Sequence, residues 1–517
     1  MKTKQQYFYN ALLAAAVTLL MRTVGVAFNV YISGRVGAEA MGLLSLVGGV
    51  YGFAVTLATS GIHLATVRTL SERLKRSGGA ENRKCLAACL TYAAFFGALA
   101  SILLLICAKP IALYALKDKR TVRALTMLSF TLLPIAISAV FNGYFTAVRR
   151  AYKNAIAQVS EQAVKITFTS YLLTMAAPKS VEGGLIAILM GGAVAEALTL
   201  VLNLLLYGLD KRRYKRVKQQ KSTAPVRVAA IALPVAVSAY MRSGLLTLEH
   251  ILIPRGLSAY GAGSAAALAA YGTLQGMALP VILYPAAVLS SFSALLIPEI
   301  TEQQTINNQR EICYIAGRAY QISLLFSIGT AAVMLFLSRE LGAVLYQNSD
   351  VGYYIKCLAP LIPIMYLDTA TDALLKGLGE QVYSMNINIA DALLSVILVF
   401  FLVPRLGIHG YIVTIYVTEL FNATLSILRL LRISSFRPKP LKIFLLPLIS
   451  AIGAACTANV IFHYIILPQS GMTLTVHIFS FIIIYAILLI ATGTFPRADL
   501  KWLKNLFFCR QSRSIEE

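Results

Sequence analysis

Asn10–Ile32 reads NALLAAAVTLLMRTVGVAFNVYI. It is most of an apolar run from Phe8 to Ile32, and about 20 apolar residues suffice for a helix to cross a bilayer. Arg22 is the run's one charge. An arginine at bilayer mid-depth costs roughly 2.5–3.5 kcal/mol on insertion scales, so it marks a functional position by default.

The rest of the chain has the same character. Of 517 residues, 58% are hydrophobic and only 13% charged, where a soluble domain carries about 25% charged residues. Mean hydropathy is +0.72. The fold class is therefore all-α: a polytopic membrane protein without a separate soluble domain. Apolar runs predict about fourteen spans, near 8–32, 41–67, 84–107, 123–147, 155–177, 184–207, 226–253, 267–297, 314–337, 353–377, 382–403, 408–431, 441–466 and 472–494. The first run is too long for a cleavable signal and lacks a clear A-x-A site.

The net charge of +24 would suggest a nucleic-acid partner in a soluble protein. Here the basic residues crowd into short connections, as the positive-inside rule requires, and no nucleic-acid partner is expected. Their distribution puts both termini in the cytoplasm of a plasma-membrane protein. The densest block, KRRYKRVKQQK at Lys211–Lys221, anchors the topology and links two halves. Lys117–Arg123 is the exception, a basic stretch on the outer side. Seven cysteines, none in a C-x-x-C pair and most in apolar runs, suggest neither disulfides nor a metal site. No P-loop, HExxH or GxSxG motif is present, so neither enzymatic activity nor a cofactor is expected.

An internal repeat organises these spans. MRTVGVAFNVYISGR (Met21–Arg35) is echoed by MRSGLLTLEHILIPR (Met241–Arg255), with the Met-Arg pair and the final Arg at equal spacing. Ala40-Met41-Gly42 matches Ala270-Tyr271-Gly272, and Ser71-Glu72 matches Thr301-Glu302. Gly184 and Glu196 match Gly407 and Glu419, and Glu161 falls opposite Asp391. The period is about 220–230 residues and equivalent spans are six apart, which makes a parallel repeat. The expected domains are an N-terminal six-helix lobe (1–210), a basic cytoplasmic linker (211–225), a C-terminal six-helix lobe (226–435), two additional helices (436–495) and a cytoplasmic tail (496–517).

Parallel repeats place the substrate between halves near mid-depth, which singles out Arg22 and Arg242. Each could instead neutralise a buried carboxylate or snorkel. Span one holds no acid, however, and both positions are mid-span. Guanidinium keeps its charge in a low dielectric and binds oxyanions in bidentate fashion, so phosphate or diphosphate is the matching ligand. Asn29 and Glu249 follow the two arginines by seven residues, hence on the same helix faces. Glu249 either balances Arg242 or helps hold a cation. Asp368 and Asp372 share one face of span ten, and Asp391 sits alone in span eleven; the three are further candidates for a proton or cation path, beside plainer readings as cavity wall. Glu161 and Lys165, at i and i+4, read as a self-neutralised pair. Glu196 and Glu419 read as links between packed helices. His63 is a satisfied interior histidine or a proton relay. Gly272 and Gly276 suggest close packing, and Pro280 and Pro285 suggest a broken span eight.

At this point the chain resembles a known family. Met21-Arg22-Thr23-Val24-Gly25, Gly34-Arg35-Val36-Gly37, SGIHLATVRTLSERL (residues 60–74), Phe141-Asn142-Gly143-Tyr144-Phe145-Thr146-Ala147 with AIAQVSEQ (155–162), Ala278-Leu279-Pro280, Leu296-Ile297-Pro298-Glu299 and Leu375-Lys376-Gly377-Leu378-Gly379 carry the likeness. They are similar to the multidrug/oligosaccharidyl-lipid/polysaccharide exporter superfamily. Within it they resemble the stage V sporulation protein B-like and polysaccharide-biosynthesis flippases, relatives of lipid II flippases. The resemblance implies a V-shaped pair of six-helix lobes with alternating access, a cationic cavity for a diphosphate headgroup that includes Arg22, and two extra helices forming a groove for a polyprenyl tail. Phe28-Asn29 and Gln275 stand where other cavity charges of lipid II flippases would be expected, which leaves Asn29, Gln275 and His63 as uncharged members of the candidate site. The implied partners are a polyprenyl-diphosphate-linked glycan, membrane lipids and a coupling sodium ion or proton, with the protein a monomer. The rival reading is a cation-coupled multidrug antiporter of the same superfamily; a third is a passive scaffold for wall or spore-cortex assembly. An antiporter of that type would stop at twelve spans and carry acids where Arg22 and Arg242 stand.

Overall fold

The computed structural model describes residues 2–76, 83–176, 180–211, 224–436, 441–464 and 471–494. Most of the Lys211–Lys221 block and the tail from 496 onward lie outside the described residues. Among the described residues there is no strand. The helices are α1 (Lys2–Thr59), α2 (Ile62–Arg76), α3 (Arg83–Pro110), α4 (Thr121–Ser129), α5 (Leu132–Ala147), α6 (Ala151–Ala176), α7 (Val181–Lys211), α8 (Ala224–Ala259), α9 (Ser264–Tyr271), α10 (Leu279–Leu283), α11 (Ala286–Thr305), α12 (Gln309–Phe336), α13 (Ser338–Tyr346), α14 (Ser349–Leu358), α15 (Ile362–Gly377), α16 (Gln381–Leu406), α17 (Ile408–Ser434), α18 (Leu446–Tyr464) and α19 (Gly471–Ala491). Helix satisfies every backbone polar group within one segment, the condition for crossing hydrocarbon.

Eleven of the described helices are long and apolar enough to cross a membrane, or twelve if α4 and α5, bent by 43°, are one span. Fourteen is therefore an approximate number, and the difference has a physical origin. The first candidate, Ala16–Glu72, is 57 residues long. At 1.5 Å per residue this is about 85 Å of helix, against a hydrocarbon core of about 30 Å. Its helical path is broken at Gly37 (φ 79°, ψ 174°), a conformation open to glycine and strained for any residue with a Cβ. Helix α6 has the length of a span but carries Lys153, Glu161 and Lys165, which lower its hydropathy.

Two compact units divide the chain. One comprises Leu12–Met277 with Asn388–Thr414; the other comprises Met1–Ala11, Ala278–Ile387 and Ile415–Glu517. Within the first, the second leg of α1 meets α9 at a glycine crossing. A Cβ on Gly42 would collide with the Leu268 carbonyl, and one on Gly272 with the Ala38 carbonyl. Gly272 opens a π-helical stretch, Gly272–Ala278, and the chain breaks again at Tyr284-Pro285 between α10 and α11, so span eight is interrupted twice. Overpacking of this kind costs about 1–3 kcal/mol. Gly272→Ala should therefore lower the thermal unfolding midpoint in detergent, while Gly25→Ala, whose Cβ meets nothing within 4 Å, should leave it unchanged.

The turns repeat as the sequence does, at a spacing of about 230 residues. After α5, Val148 N–H donates to Tyr144 O, Arg149 N–H to Thr146 O and Arg150 N–H to Phe145 O; after α15, Leu378, Gly379 and Glu380 donate to Leu374, Lys376 and Leu375 in the same pattern. Arg149 and Gly379 are both left-handed. Lys117 and Gln347 are left-handed as well, and the next side chains, Asp118 and Asn348, each accept the backbone N–H two residues on.

The ion pairs holding the first of these turns repeat with their signs exchanged. Arg150 pairs with Asp210 at the end of α7, whereas Glu380 pairs with Arg429 near the end of α17 (2.9 Å). One clamp thus occurs twice, with cation and anion swapped.

Candidate functional site

Arg22 and Arg242 both belong to the first unit. Each is exposed at the protein surface, and among the described residues neither has a hydrogen-bond or ion-pair partner. Several other basic side chains are paired. Arg120 is held by Asp118 and Glu39 (2.8 Å to Glu39), Arg123 by Glu182 (3.4 Å), Lys153 by Asp210 (2.7 Å) and Lys376 by Asp372 (2.6 Å).

Helix α8 is fixed against the second leg of α1 by a row of hydroxyls. Thr247 donates to Gly49 O (2.9 Å), Thr56 donates to Ser243 (3.2 Å), and Ser60 and Tyr240 share a hydrogen bond. Tyr240, Ser243 and Thr247 occupy one face of α8. Arg242 and Glu249, seven residues apart, share a different one. On that face Glu249 is half-buried and Arg242 is open.

Around Glu249 the structure assembles a polar cluster. Its carboxyl lies near the Ser395 hydroxyl of α16, with Asp391, one turn earlier, within electrostatic reach. Tyr271 and Tyr411, 0% and 3% exposed, both lie in the field of Glu249. The Tyr271 hydroxyl is hydrogen-bonded to His250 Nδ1 (2.6 Å), and Tyr411 donates to Gln275 Oε1 (3.1 Å). Three residues singled out from sequence, Glu249, Asp391 and Gln275, are therefore brought together. Ser395, Tyr271, Tyr411 and His250 join them, and sequence reasoning missed their role. Ser395 at i+4 from Asp391 was the one signal available. Two carboxylates with hydroxyl and amide oxygens around them form a donor set suited to a hard monovalent cation or a proton. Among the described residues no group of three or more His, Cys, Asp or Glu is placed to hold a metal ion.

The remaining candidates lie elsewhere. Asn29 is half-buried on α1, and His63 is exposed at the start of α2, where its carbonyl approaches Gly143 of α5. Asp368 and Asp372 are on α15 in the second unit. Asp372 is engaged by Lys376 and accepts from Ser384, which ties it to the α15–α16 turn. In the first half, Glu161, Lys165 and Glu196 lie within electrostatic reach of one another and of Tyr51, whose hydroxyl shares a 2.5 Å hydrogen bond with Thr131.

The basic stretch at Lys117–Arg123 loses its anomaly in the structure, because Asp118, Glu39 and Glu182 compensate its arginines. Burial pushes the Asp118 carboxyl up, but hydrogen bonds and the charge of Arg120 outweigh it and hold the group below the usual carboxylate value of 3.8. A depressed value in the folded state contributes stability above the unfolded-state value, and this is lost as pH falls through the folded-state value. Asp118→Asn should therefore lower the unfolding midpoint at pH 7 and reduce the further loss seen on acidification below about pH 4.

The sequence family described as polysaccharide biosynthesis protein matches residues 8–304. Stage V sporulation protein B of Bacillus subtilis (strain 168) is 28% identical over 437 residues, covering 82% of this chain and 84% of that protein. The lipid II flippase MurJ of the same organism is 22% identical over 412 residues, 74% of each chain. Among solved structures, a lipid II flippase MurJ in an inward closed conformation superposes with a TM-score of 0.70 at 12% identity, covering 95% of this chain and 100% of that one. An inward-facing multidrug resistance MATE family transporter of the MOP superfamily gives 0.61 at 16% identity, with 81% and 98% covered. These likenesses establish the fold of that transporter superfamily.

Proposed function

Because the chain belongs to the polysaccharide biosynthesis protein family, we propose that it is a flippase carrying a polyprenyl-diphosphate-linked sugar from the inner to the outer leaflet by alternating access. The observation that carries this reading is the pair of guanidiniums, Arg22 and Arg242, exposed in mid-helix and without partners among the described residues. Two cations left open at that depth suit a ligand that brings its own negative charge, and diphosphate offers paired oxyanions for bidentate contact. Asn29, Gln275 and His63 add uncharged hydrogen-bonding groups to the substrate route. The polyprenyl tail stays in lipid, so the transfer cost falls on the headgroup alone. Relatives named for sporulation and for lipid II flipping support a wall, spore-cortex or polysaccharide precursor as the substrate class.

Glu249 and Asp391 hold the coupling ion, sodium or a proton. Both termini lie in the cytoplasm, and the monomer is the working unit. The deciding experiment reconstitutes the protein in liposomes and follows fluorescent diphosphate-linked sugar and, in parallel, a fluorescent organic cation. Leaflet exchange of the sugar with no cation efflux is the expected result. Efflux of the cation without sugar exchange would sink the flippase reading in favour of the antiporter.

A further inference from the structure

Helices α6 and α7 make an extensive interface, whose register is set at both ends. Gly191 lies against Thr169, while Lys153 donates to Leu206 O (2.9 Å) and to Asp210 (2.7 Å). The two helices therefore run antiparallel. Between these ends, α7 turns one stripe into the interface: Glu196, Thr199, Asn203 and Asp210 fall within a quarter-turn arc at 3.6 residues per turn. Asn203 is 0% exposed, and among the described residues neither its amide nitrogen nor its oxygen has a partner. Thr199, 5% exposed, has an unpartnered hydroxyl as well. On α5, which meets α7 through the Phe141 and Tyr144 rings packed on Tyr207, Ser138 is 5% exposed and unpartnered too. The register places Ser138 at the level of Asn203. Counting along the antiparallel pair from Gly191–Thr169 and Lys153–Leu206 puts the small, buried Ala157 of α6 at the level of Asn203.

Buried amides and hydroxyls without protein partners are ordinarily answered by internal water, which bridges two to four such groups. We infer that the α5–α6–α7 interface holds a file of buried water that gives protons access to Glu161 and Glu196 from the end of α7 that carries Asp210. The file begins at the Arg150, Lys153 and Asp210 cluster, passes Asn203, Ser138 and Thr199, and ends at the two glutamates. A proton taken from bulk water moves along the file by exchange of hydrogen bonds and adds to a carboxylate, which loses its charge. The groups facing these carboxylates are Lys165 on α6 and Tyr51 on α1, the latter hydrogen-bonded to Thr131. Arg123 of α4 is occupied by Glu182 at the opposite end of α7. The site is separate from the Glu249 cluster and does not depend on the flippase reading.

The test uses the full chain in lipid nanodiscs and needs no substrate. Infrared difference spectra between acid and neutral buffer should show a protonated-carboxyl band that disappears in the Glu161→Gln/Glu196→Gln double variant. On transfer to heavy water that band should exchange quickly in the wild type and roughly tenfold more slowly or worse in Asn203→Leu, the effect of a modest added barrier. Thr199→Val, nearly the same shape, guards against a folding defect and should slow exchange likewise. Wild-type exchange rates in both variants would overturn the inference. So would the absence of any acid-dependent band removed by the double glutamine variant.

Discussion

Replacing Arg22 and Arg242 together by glutamine should abolish leaflet exchange of a diphosphate-linked sugar while leaving the protein at least as stable as wild type. A hydrogen bond to a charged group contributes about 1.5–3 kcal/mol, so losing two such anchors weakens headgroup binding roughly 100- to 10,000-fold. Stability should move the other way, because each arginine at mid-depth carries an insertion cost of roughly 2.5–3.5 kcal/mol and neither has a protein partner among the described residues to lose. A structural arginine gives the opposite result. Asp210 shows the contrast, since it is 1% exposed against Arg150 and Lys153, and removing it would leave buried cations uncompensated. Arg22→Lys with Arg242→Lys separates charge from geometry, because ammonium keeps the attraction but loses the bidentate fork. Intermediate exchange is expected from that variant. Exchange at the wild-type rate in the double glutamine variant would refute the headgroup role, and a lowered unfolding midpoint in it would assign the pair to structure.

What could be read from the sequence divides along a physical line. Features fixed by the local chain were legible. The apolar runs gave helices, Gly272 and Gly276 marked a close crossing, Pro280 and Pro285 marked an interrupted span, and the Met-Arg echo marked a repeat that reappears in the hydrogen bonds of two turns. The break at Gly37 was placed only as a gap between two spans, because one glycine in an apolar run does not reveal a positive φ. Features set by which helices touch were not legible. Asp372 reads with Asp368 as one polar face of span ten, yet Lys376 and Ser384 are what engage it, although Lys376 at i+4 is visible in the sequence. His250 and Tyr271 lie 21 residues apart in sequence, and Tyr411 and Gln275 lie 136 apart. Periodicity carries no information on such pairings. The sign exchange between the Arg150–Asp210 and Glu380–Arg429 clamps was hidden for a related reason, since comparing the halves by residue identity discards positions that keep an interaction while swapping its charges.

Glu249→Gln and Asp391→Asn should each remove the dependence of transport on the coupling ion. Two carboxylates sharing a site in a low dielectric repel strongly unless a cation or a proton lies between them. Ser395, Tyr271 and Tyr411 supply hydroxyls near that place, and a hydroxyl oxygen can either coordinate a cation or hydrogen-bond to a protonated carboxyl. The identity of the ion is therefore decided by experiment on the wild type. Exchange is measured against a sodium gradient at fixed pH, then against a pH gradient at fixed sodium. Whichever gradient accelerates the wild type should cease to act on either single variant, with residual exchange driven by the substrate gradient alone. The Glu249→Gln/Asp391→Asn double variant should behave like the singles, since one ion held by two carboxylates is lost with the first of them and effects at one site do not add. A double variant that loses twice as much as either single would mean two independent sites, and Glu249 would then be left with the balancing of Arg242 along the face of α8 that they share.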